Sequence, residues 1–184
     1  MYILEVEYNS TQGFTTKSPI VLYQEGTTRQ GDFAGGLRST ADSLCSASGS
    51  MPSGFSNYRA FVSLSATDEI ANFPTLYFVP TDVPIISISD KVVASNWSDL
   101  LDGTINDTLF NLDVMWDNAY WWSGSTNTAE LSTDYCAGFT GFSDNTSGVN
   151  GTIGYSKNSG SSWMSSGLYS CDYYNQVLCI AFDN

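Results

Sequence analysis

Histidine is absent from this sequence of 184 residues. Histidine is the usual general base near neutral pH and the commonest protein ligand of transition metals, so its absence excludes Ser-His-Asp hydrolysis and histidine-ligated zinc. The absence of histidine does not exclude glycosidase chemistry, which needs only two carboxylates. However, the carboxylates around the second predicted helix fit caps and solvated turns better than a catalytic pair; they are Asp99, Asp102, Asp107 and Asp113. We therefore expect a protein that is not an enzyme.

Basic residues are scarce. Six Lys and Arg stand against 19 Asp and Glu, which gives a formal net charge of -13. Such a chain repels phosphate backbones and anionic lipid, so we expect no nucleic-acid partner. The acidity is compatible with a cationic partner or a bound divalent metal, but solubility alone explains it. The net charge alone therefore does not identify a ligand.

Long apolar runs are also missing. No stretch approaches the roughly 18 apolar residues that span a bilayer, so we expect no membrane insertion. The first seven residues include two glutamates and lack the basic start and apolar core of a secretion signal. We expect either that a leader has been removed or that the protein leaves the cell another way, for instance in a virus particle released by lysis.

Cysteine is rare but even in number. The four cysteines are Cys45, Cys136, Cys171 and Cys179, and no two of them have the Cys-x-x-Cys spacing of a zinc or thioredoxin-like site. Two disulfides are therefore expected, which indicates an environment outside the reducing cytosol. Spacing alone leaves three pairings open.

The composition is that of a globular domain. Hydrophobic residues make up 42% and aromatic residues 14% of the chain, which at this length is enough for one core. Apolar positions three to four residues apart predict a helix within residues 31–48, with Cys45 on its apolar face. A second, short helix is predicted within residues 95–103, capped by Ser95 or Asn96. Short apolar runs predict strands at residues 58–64, 114–116, 120–122, 153–155 and 177–182.

Two further apolar runs come before these elements. Residues 2–8 alternate apolar and polar side chains, and residues 20–23 form a second run. Together they predict a hairpin or an edge-strand pair, forming a strand extension over residues 1–26 ahead of the main domain. The extension either packs against the domain or docks onto a host scaffold.

The passage between Cys136 and Cys171 is rich in Gly, Ser, Asn and Thr. Apart from the strand at residues 153–155, this composition predicts loops that cannot supply a core of their own. Ordering a loop costs about 1 to 2 kcal/mol per residue of backbone, so long ordered loops are more often functional than idle. We therefore expect this long loop region to carry the function.

Several passages share their order and spacing with a known fold. CDYYNQVLCIAF resembles the closing motif of C-type-lectin-like domains, and STADSLCSASG resembles their cysteine-bearing helix. NWSDLLDGTI resembles the second helical region, and YWWSGST followed by DYCAGFT resembles the strand-loop-cysteine passage of the endostatin-like branch. Together with GTIGYSKNSGSSWMSSG, these passages resemble an uncharacterised bacterial family of endostatin-like domains over about residues 27–182.

The resemblance implies an α+β, C-type-lectin-like fold over residues 27–184, with two short helices flanking a small antiparallel sheet. It also implies the disulfides Cys45–Cys179 and Cys136–Cys171. The Glu-Pro-Asn, Gln-Pro-Asp and Trp-Asn-Asp motifs that bind calcium in sugar-binding members do not occur here; residues 116–118 read Trp-Asp-Asn instead. We therefore expect no cofactor and no metal.

The resemblance and the local chemistry together indicate ligand-binding residues. Exposed aromatic faces stack on sugars and anchor protein interfaces, and side-chain oxygens in loops bind glycans or cations; core packing and turn formation are the alternative roles. Because side chains alternate along a strand, we expect one of Trp121 and Trp122 in the core and the other partly exposed. The candidates are Trp116, Tyr120, Trp121, Asp144, Asn145, Asn158 and Tyr173.

These observations predict a recognition or adhesion module that binds through the long loop region. We expect it outside the cell, on a cell surface or on a virion surface, with a cell-surface or virion protein or a glycan as its partner and with self-association possible. The alternative hypothesis is a structural virion or appendage decoration protein attached through the amino-terminal strands.

Overall fold

The computed structural model describes residues 17–136 and 149–184. Within these residues the fold is α+β, with short helices and two sheets. The helices are α1 (Arg38–Ser46), α2 (Phe73–Tyr77) and α3 (Trp97–Leu100), with 3-10 turns at Ile70–Asn72 and Ser161–Trp163. The strands are β1 (Ile20–Gln24), β2 (Asn57–Ala60), β3 (Ile85–Ser87), β4 (Val92–Ala94), β5 (Tyr120–Trp122), β6 (Asn150–Tyr155), β7 (Gly167–Ser170) and β8 (Leu178–Phe182).

The larger sheet has five strands in the order β2-β8-β1-β3-β4. Strand β1 runs parallel to β3 and antiparallel to β8, so it is the central strand. The expectation that residues 20–23 form part of a hairpin or edge pair is therefore wrong. All four of these residues are buried, as befits a strand that is covered on both faces. Residues 1–16 of the predicted extension lie outside the described residues.

The smaller sheet consists of β5, β6 and β7, all antiparallel. The prediction of one small antiparallel sheet is thus corrected to two sheets, of which the larger is mixed. The passage after Cys136 is also more ordered than predicted, because it supplies β6, β7 and the fully buried side chains of Trp163 and Met164. The sequence did not indicate this contribution, because Trp163 and Met164 are a lone apolar pair among serines and glycines.

Two apolar cores lie on opposite faces of the larger sheet. Along β8, Leu178, Ile180 and Phe182 belong to the first core, whereas Cys179 and Ala181 belong to the second. This division follows from the two-residue period of a strand. Helix α1 contributes to the second core, and helices α2 and α3 contribute to the first. The sheet is therefore flanked by helices, as predicted.

Both disulfides implied by the resemblance are present. Cys45 on α1 is bonded to Cys179 on β8, across 134 positions of the chain. Cys136 is bonded to Cys171, which follows β7, across 35 positions. The predicted pairing is confirmed.

The predicted helices are found with narrower bounds. Helix α1 lies inside the predicted range of residues 31–48. Helix α3 begins after Asn96, whose side-chain oxygen accepts a hydrogen bond from the Asp99 amide at 3.0 Å, so the predicted cap is confirmed. Residues 114–116, however, do not form a strand: Val114 and Met115 are buried, but the chain turns there.

Arg38 fastens the start of α1 to the sheet. Its guanidinium donates to both carboxylate oxygens of Asp68 at 2.9 Å and to the carbonyls of Ala60 and Val62 at 2.7 Å. A two-pronged arginine contact of this kind fixes orientation as well as adding energy. Helix α1 is therefore held over the second core by polar contacts as well as by the Cys45 disulfide.

The hydroxyl of Tyr23 gives the core a specific sensitivity to alkali. It is fully buried and donates to the carbonyl of Cys45 at 3.0 Å, and burial raises the pKa of Tyr23 above its ordinary value near 10. Above pH 10 the unfolded chain therefore releases this proton more readily than the folded chain, so stability falls as pH rises. We expect Tyr23→Phe to lower the free energy of unfolding by about 1 kcal/mol at neutral pH. Above pH 10, however, the stability of the variant should fall less steeply than that of the wild type.

Urea unfolding at neutral pH and at about pH 11 measures this effect. For each pH unit above about 10, the free energy of unfolding of the wild type should fall by about 1 kcal/mol more than that of Tyr23→Phe, because the variant lacks the Tyr23 proton. Equal declines in the wild type and the Tyr23→Phe variant would show that the Tyr23 proton does not control alkaline stability.

Candidate recognition surface

Four tyrosines meet on one side of the smaller sheet. Tyr120 on β5 is directly opposite Tyr155 on β6, and their rings stack with centroids 4.8 Å apart. Tyr169 on β7 contacts Tyr120 edge to face at 5.0 Å, and Tyr173 stacks on Tyr169 at 5.5 Å. We refer to Tyr120, Tyr155, Tyr169 and Tyr173 as the tyrosine cluster.

Strand alternation places this cluster at the edge of the second core. Tyr120 and Trp122 share one face of β5, and Ile153 and Tyr155 share one face of β6. Trp122 and Ile153 are buried in the second core, while Tyr120 packs against its margin. The cluster thus continues a rigid apolar layer outward to the solvent.

The cluster is partly exposed and carries polar edges. Tyr120, Tyr155 and Tyr169 are half-buried, and Tyr173 is 58% exposed. The Tyr155 hydroxyl donates to the side-chain oxygen of Asn118 at 2.6 Å. Desolvation, followed by the neighbouring tyrosines, raises the pKa of Tyr169. Its phenol therefore stays neutral at physiological pH and can donate and accept hydrogen bonds.

Covalent and backbone contacts hold the cluster in place. Cys171 lies between Tyr169 and Tyr173 and is bonded to Cys136. The amide of Gly31 donates to the Cys171 carbonyl at 2.8 Å, and a side chain at position 31 would collide with both disulfide cysteines. This close approach requires glycine and leaves the chain around Cys171 little room to move.

The structure separates the predicted aromatic residues into different roles. Tyr120 and Tyr173 belong to the tyrosine cluster, and Trp116, which is 53% exposed, lines a cleft near the end of β1. Trp121 is fully buried, so its prediction as a ligand-binding residue is wrong. Its indole N–H donates to the carbonyl of Trp163 at 3.0 Å.

The expectation that only one of Trp121 and Trp122 is buried is also wrong. Trp121 faces the first core and Trp122 faces the second, and both are 0% exposed. Alternation predicted their opposite directions correctly. It could not show that both faces of β5 are covered.

The structure describes one of the three polar candidates. Asn158 forms a turn, in which its side-chain oxygen accepts from the Gly160 amide at 2.8 Å. The turn-forming alternative therefore describes its observed contact. Asp144 and Asn145 lie outside the described residues.

Tyr155 is a site residue that the sequence did not identify, and Tyr169 was left out of the candidates although it flanks Cys171 as Tyr173 does. Tyr155 ends the strand predicted at residues 153–155, and Tyr169 lies two positions before Cys171. Their spacing shows no aromatic pattern because they come from different strands. The contact between Tyr120 and Tyr155 exists only through the pairing of β5 with β6.

The aspartates near α3 make the caps and turns expected of them. Asp99 accepts from the Ser95 amide, and Asp107 accepts from Asn111 and the Thr108 amide. These contacts hold the pKa of both carboxyls below its usual value, whereas a general acid needs a raised pKa. Asp102 accepts from Thr104, and Asp113 pairs with Lys91.

Burial raises the pKa of Asp42, against the lowering effects of Arg38 and Arg59. Its carboxylate accepts from Arg59 at 2.5 Å and from the Ala60 amide at 3.0 Å. Both oxygens are therefore engaged in joining α1 to β2.

Across residues 17–136 and 149–184, no three His, Cys, Asp or Glu side chains are grouped so as to hold a metal ion.

Comparison with known proteins adds no family to this picture. No protein-family model matches the sequence, and no curated protein matches it. Within residues 17–136 and 149–184, none of the helices has the length and apolar character that a membrane span requires.

Proposed function

We propose that this chain is an extracellular or surface-displayed recognition domain with a C-type-lectin-like fold of the endostatin-like kind, and that it binds a protein or glycan partner through the tyrosine cluster. The stacked, partly exposed cluster is the observation that carries this proposal. Tyrosine is favoured at recognition surfaces because it offers a large contact area at a small cost in side-chain entropy.

The rigidity of the cluster supports a binding role. Each ring contacts another ring, and the Cys136–Cys171 disulfide holds the chain between Tyr169 and Tyr173. A surface that is already ordered loses little conformational freedom when a partner binds. Part of the cluster comes from the passage after Cys136 that the sequence indicates as functional, namely Tyr155 and Tyr169.

The disulfides support both the family and the location in this proposal. Their pairing is the one that the C-type-lectin-like resemblance implies. Structural disulfides persist in oxidising surroundings, which favours a place outside the cytosol. The sequence motifs, the disulfide pairing and the helices that flank the larger sheet together support the C-type-lectin-like fold.

Tyr173 and its neighbour Tyr174 provide a matched test. Both are more than half exposed, but Tyr173 stacks on Tyr169, whereas Tyr174 lies outside the cluster. We expect Tyr173→Ala to weaken binding at least about tenfold, as truncation of an interface hot spot does, and Tyr174→Ala to leave it within about threefold. The measurement is binding of wild-type and variant protein to a glycan array and to a panel of purified cell-surface proteins.

A ligand found in either panel is then titrated against all three proteins. Equal losses in both variants, or a loss only in Tyr174→Ala, would contradict the assignment of binding to the tyrosine cluster. An intact disulfide map in each variant shows that the scaffold is unchanged.

A further inference from the structure

A separate cleft opens beside the end of β1. Its volume is about 320 Å³, and its walls include Gln24, Ile88, Phe110 and Trp116, with the carboxylates of Asp113 and Asp117 at its rim. This size is at the lower end of the range for small-ligand sites. The cleft therefore suits one small ring better than an extended chain.

Trp116 gives the cleft an aromatic wall. All five tryptophans lie within residues 17–136 and 149–184, and the other four are at most 4% exposed, while Trp116 is 53% exposed. Phe110 and Ile88 are also exposed beside it, at 40% and 52%. The three side chains line the same cleft, where they offer apolar surface to the flat face of a ligand.

The rim of the cleft offers hydrogen-bond acceptors. Asp113 pairs with Lys91 at 2.7 Å, and Asp117 pairs with Lys157 at 2.8 Å. Each pair holds its carboxylate in position and leaves further lone pairs free to accept. The amide oxygen of Gln24, a residue that lines the cleft, is buried and has no hydrogen-bond partner among the described residues, so it is an unsatisfied acceptor beside the cleft.

These groups define the chemistry of a ligand. An apolar aromatic wall selects a molecule with a flat face of C–H groups, and acceptors at the rim select hydroxyl or ammonium donors. A pyranose ring has both properties. The two carboxylates and the net charge of -13 disfavour an acidic sugar. We propose that the Trp116 cleft binds one neutral or amino sugar residue, stacked on the indole of Trp116.

Trp116 is also the reporter for this inference, because it is the exposed tryptophan among four buried ones. The probes are the methyl glycosides of glucose, mannose, galactose and N-acetylglucosamine, together with glucosamine, and glucuronic acid is the acidic control. At least one of the first five should change tryptophan fluorescence saturably, with a Kd on the order of 1 mM. Glucuronic acid should bind at least about tenfold more weakly than the best of them.

Two substitutions test the stacking contact. Trp116→Ala should weaken the best sugar at least about tenfold in saturation-transfer NMR, which needs no tryptophan signal, and Trp116→Phe should retain part of the affinity because it keeps an aromatic face. An unchanged affinity in Trp116→Ala would overturn the proposal, as would the absence of a saturable response to any of the five sugars. Circular dichroism and the disulfide map verify that each variant is folded.

Tyr174→Ala is the control for the cleft and should leave the sugar titration unchanged, because Tyr174 lines neither the cleft nor the tyrosine cluster. Tyr173→Ala distinguishes the cleft from the tyrosine cluster. If Tyr173→Ala abolishes sugar binding and Trp116→Ala does not, the sugar lies on the tyrosine cluster. That result overturns the cleft proposal and leaves the proposed recognition function in place.

Discussion

Replacing Cys45 and Cys179 together by alanine is expected to lower the free energy of unfolding by about 5 kcal/mol. The bond closes a loop of 134 positions, and the entropy that a cross-link removes from the unfolded chain rises with loop length. Domains of this kind have a total stability of roughly 5 to 15 kcal/mol. Urea unfolding followed by tryptophan fluorescence measures the loss.

The Cys136–Cys171 pair is the matched control for this prediction. Its loop spans 35 positions, so the corresponding double alanine variant should lose about 4 kcal/mol. All four cysteines are at most 3% exposed, so lost burial contributes similarly to both variants. A larger loss for the shorter loop would show that loop length does not determine the ranking.

Among glycine-to-alanine substitutions in the smaller sheet, Gly154→Ala should lower the stability of the protein most. A side-chain carbon at this position would overlap the indole nitrogen of Trp121 and the carbonyl oxygen of Trp163, which are hydrogen-bonded to each other. The carbonyl belongs to the backbone and cannot turn away. We expect a loss of about 3 kcal/mol, because overpacking and a broken buried hydrogen bond act together.

Gly167→Ala is the control for Gly154→Ala. Gly167 lies on β7 of the same sheet, and a carbon added there would meet no atom of the described residues within 4 Å. Its unfolding free energy should stay within about 0.5 kcal/mol of the wild type. Comparable midpoints for the two variants in urea would contradict the close packing of β6 against Trp121.

Local patterns in the sequence predicted the parts of the fold that depend on neighbouring residues. Helical spacing located α1 around Cys45, and a capping asparagine located α3 at Asn96. The sequence did not predict helix α2, because this helix has only five residues and contains Pro74. Strands β3 and β4 have three residues each, as β5 does, but they lack the aromatic run that marks β5 in the sequence. Elements this short show no period, so they are found only through another signal, such as that aromatic run or the capping asparagine of α3.

Features that depend on distant residues could not be predicted from local patterns. The central position of β1 follows from its pairing with β3 and β8, which lie far along the chain. The disulfide pairing came from family resemblance, since spacing alone left three choices. The tyrosine cluster was half predicted: Tyr120 and Tyr173 stood out beside other aromatics, but Tyr155 became a candidate only when its strand partner was known.

The position of β1 between β3 and β8 has a consequence for biosynthesis. One neighbour of this early strand, β8, consists of residues 178–182, so the five-stranded sheet cannot close until those residues have left the ribosome. Cys45 therefore lacks its native partner while Cys136 and Cys171 emerge, and a premature bond to either of them competes with the native pairing. Sheets built from such distant strands form slowly. Correct oxidation of this protein is thus a late event, and an isomerase that reshuffles premature bonds should raise its yield.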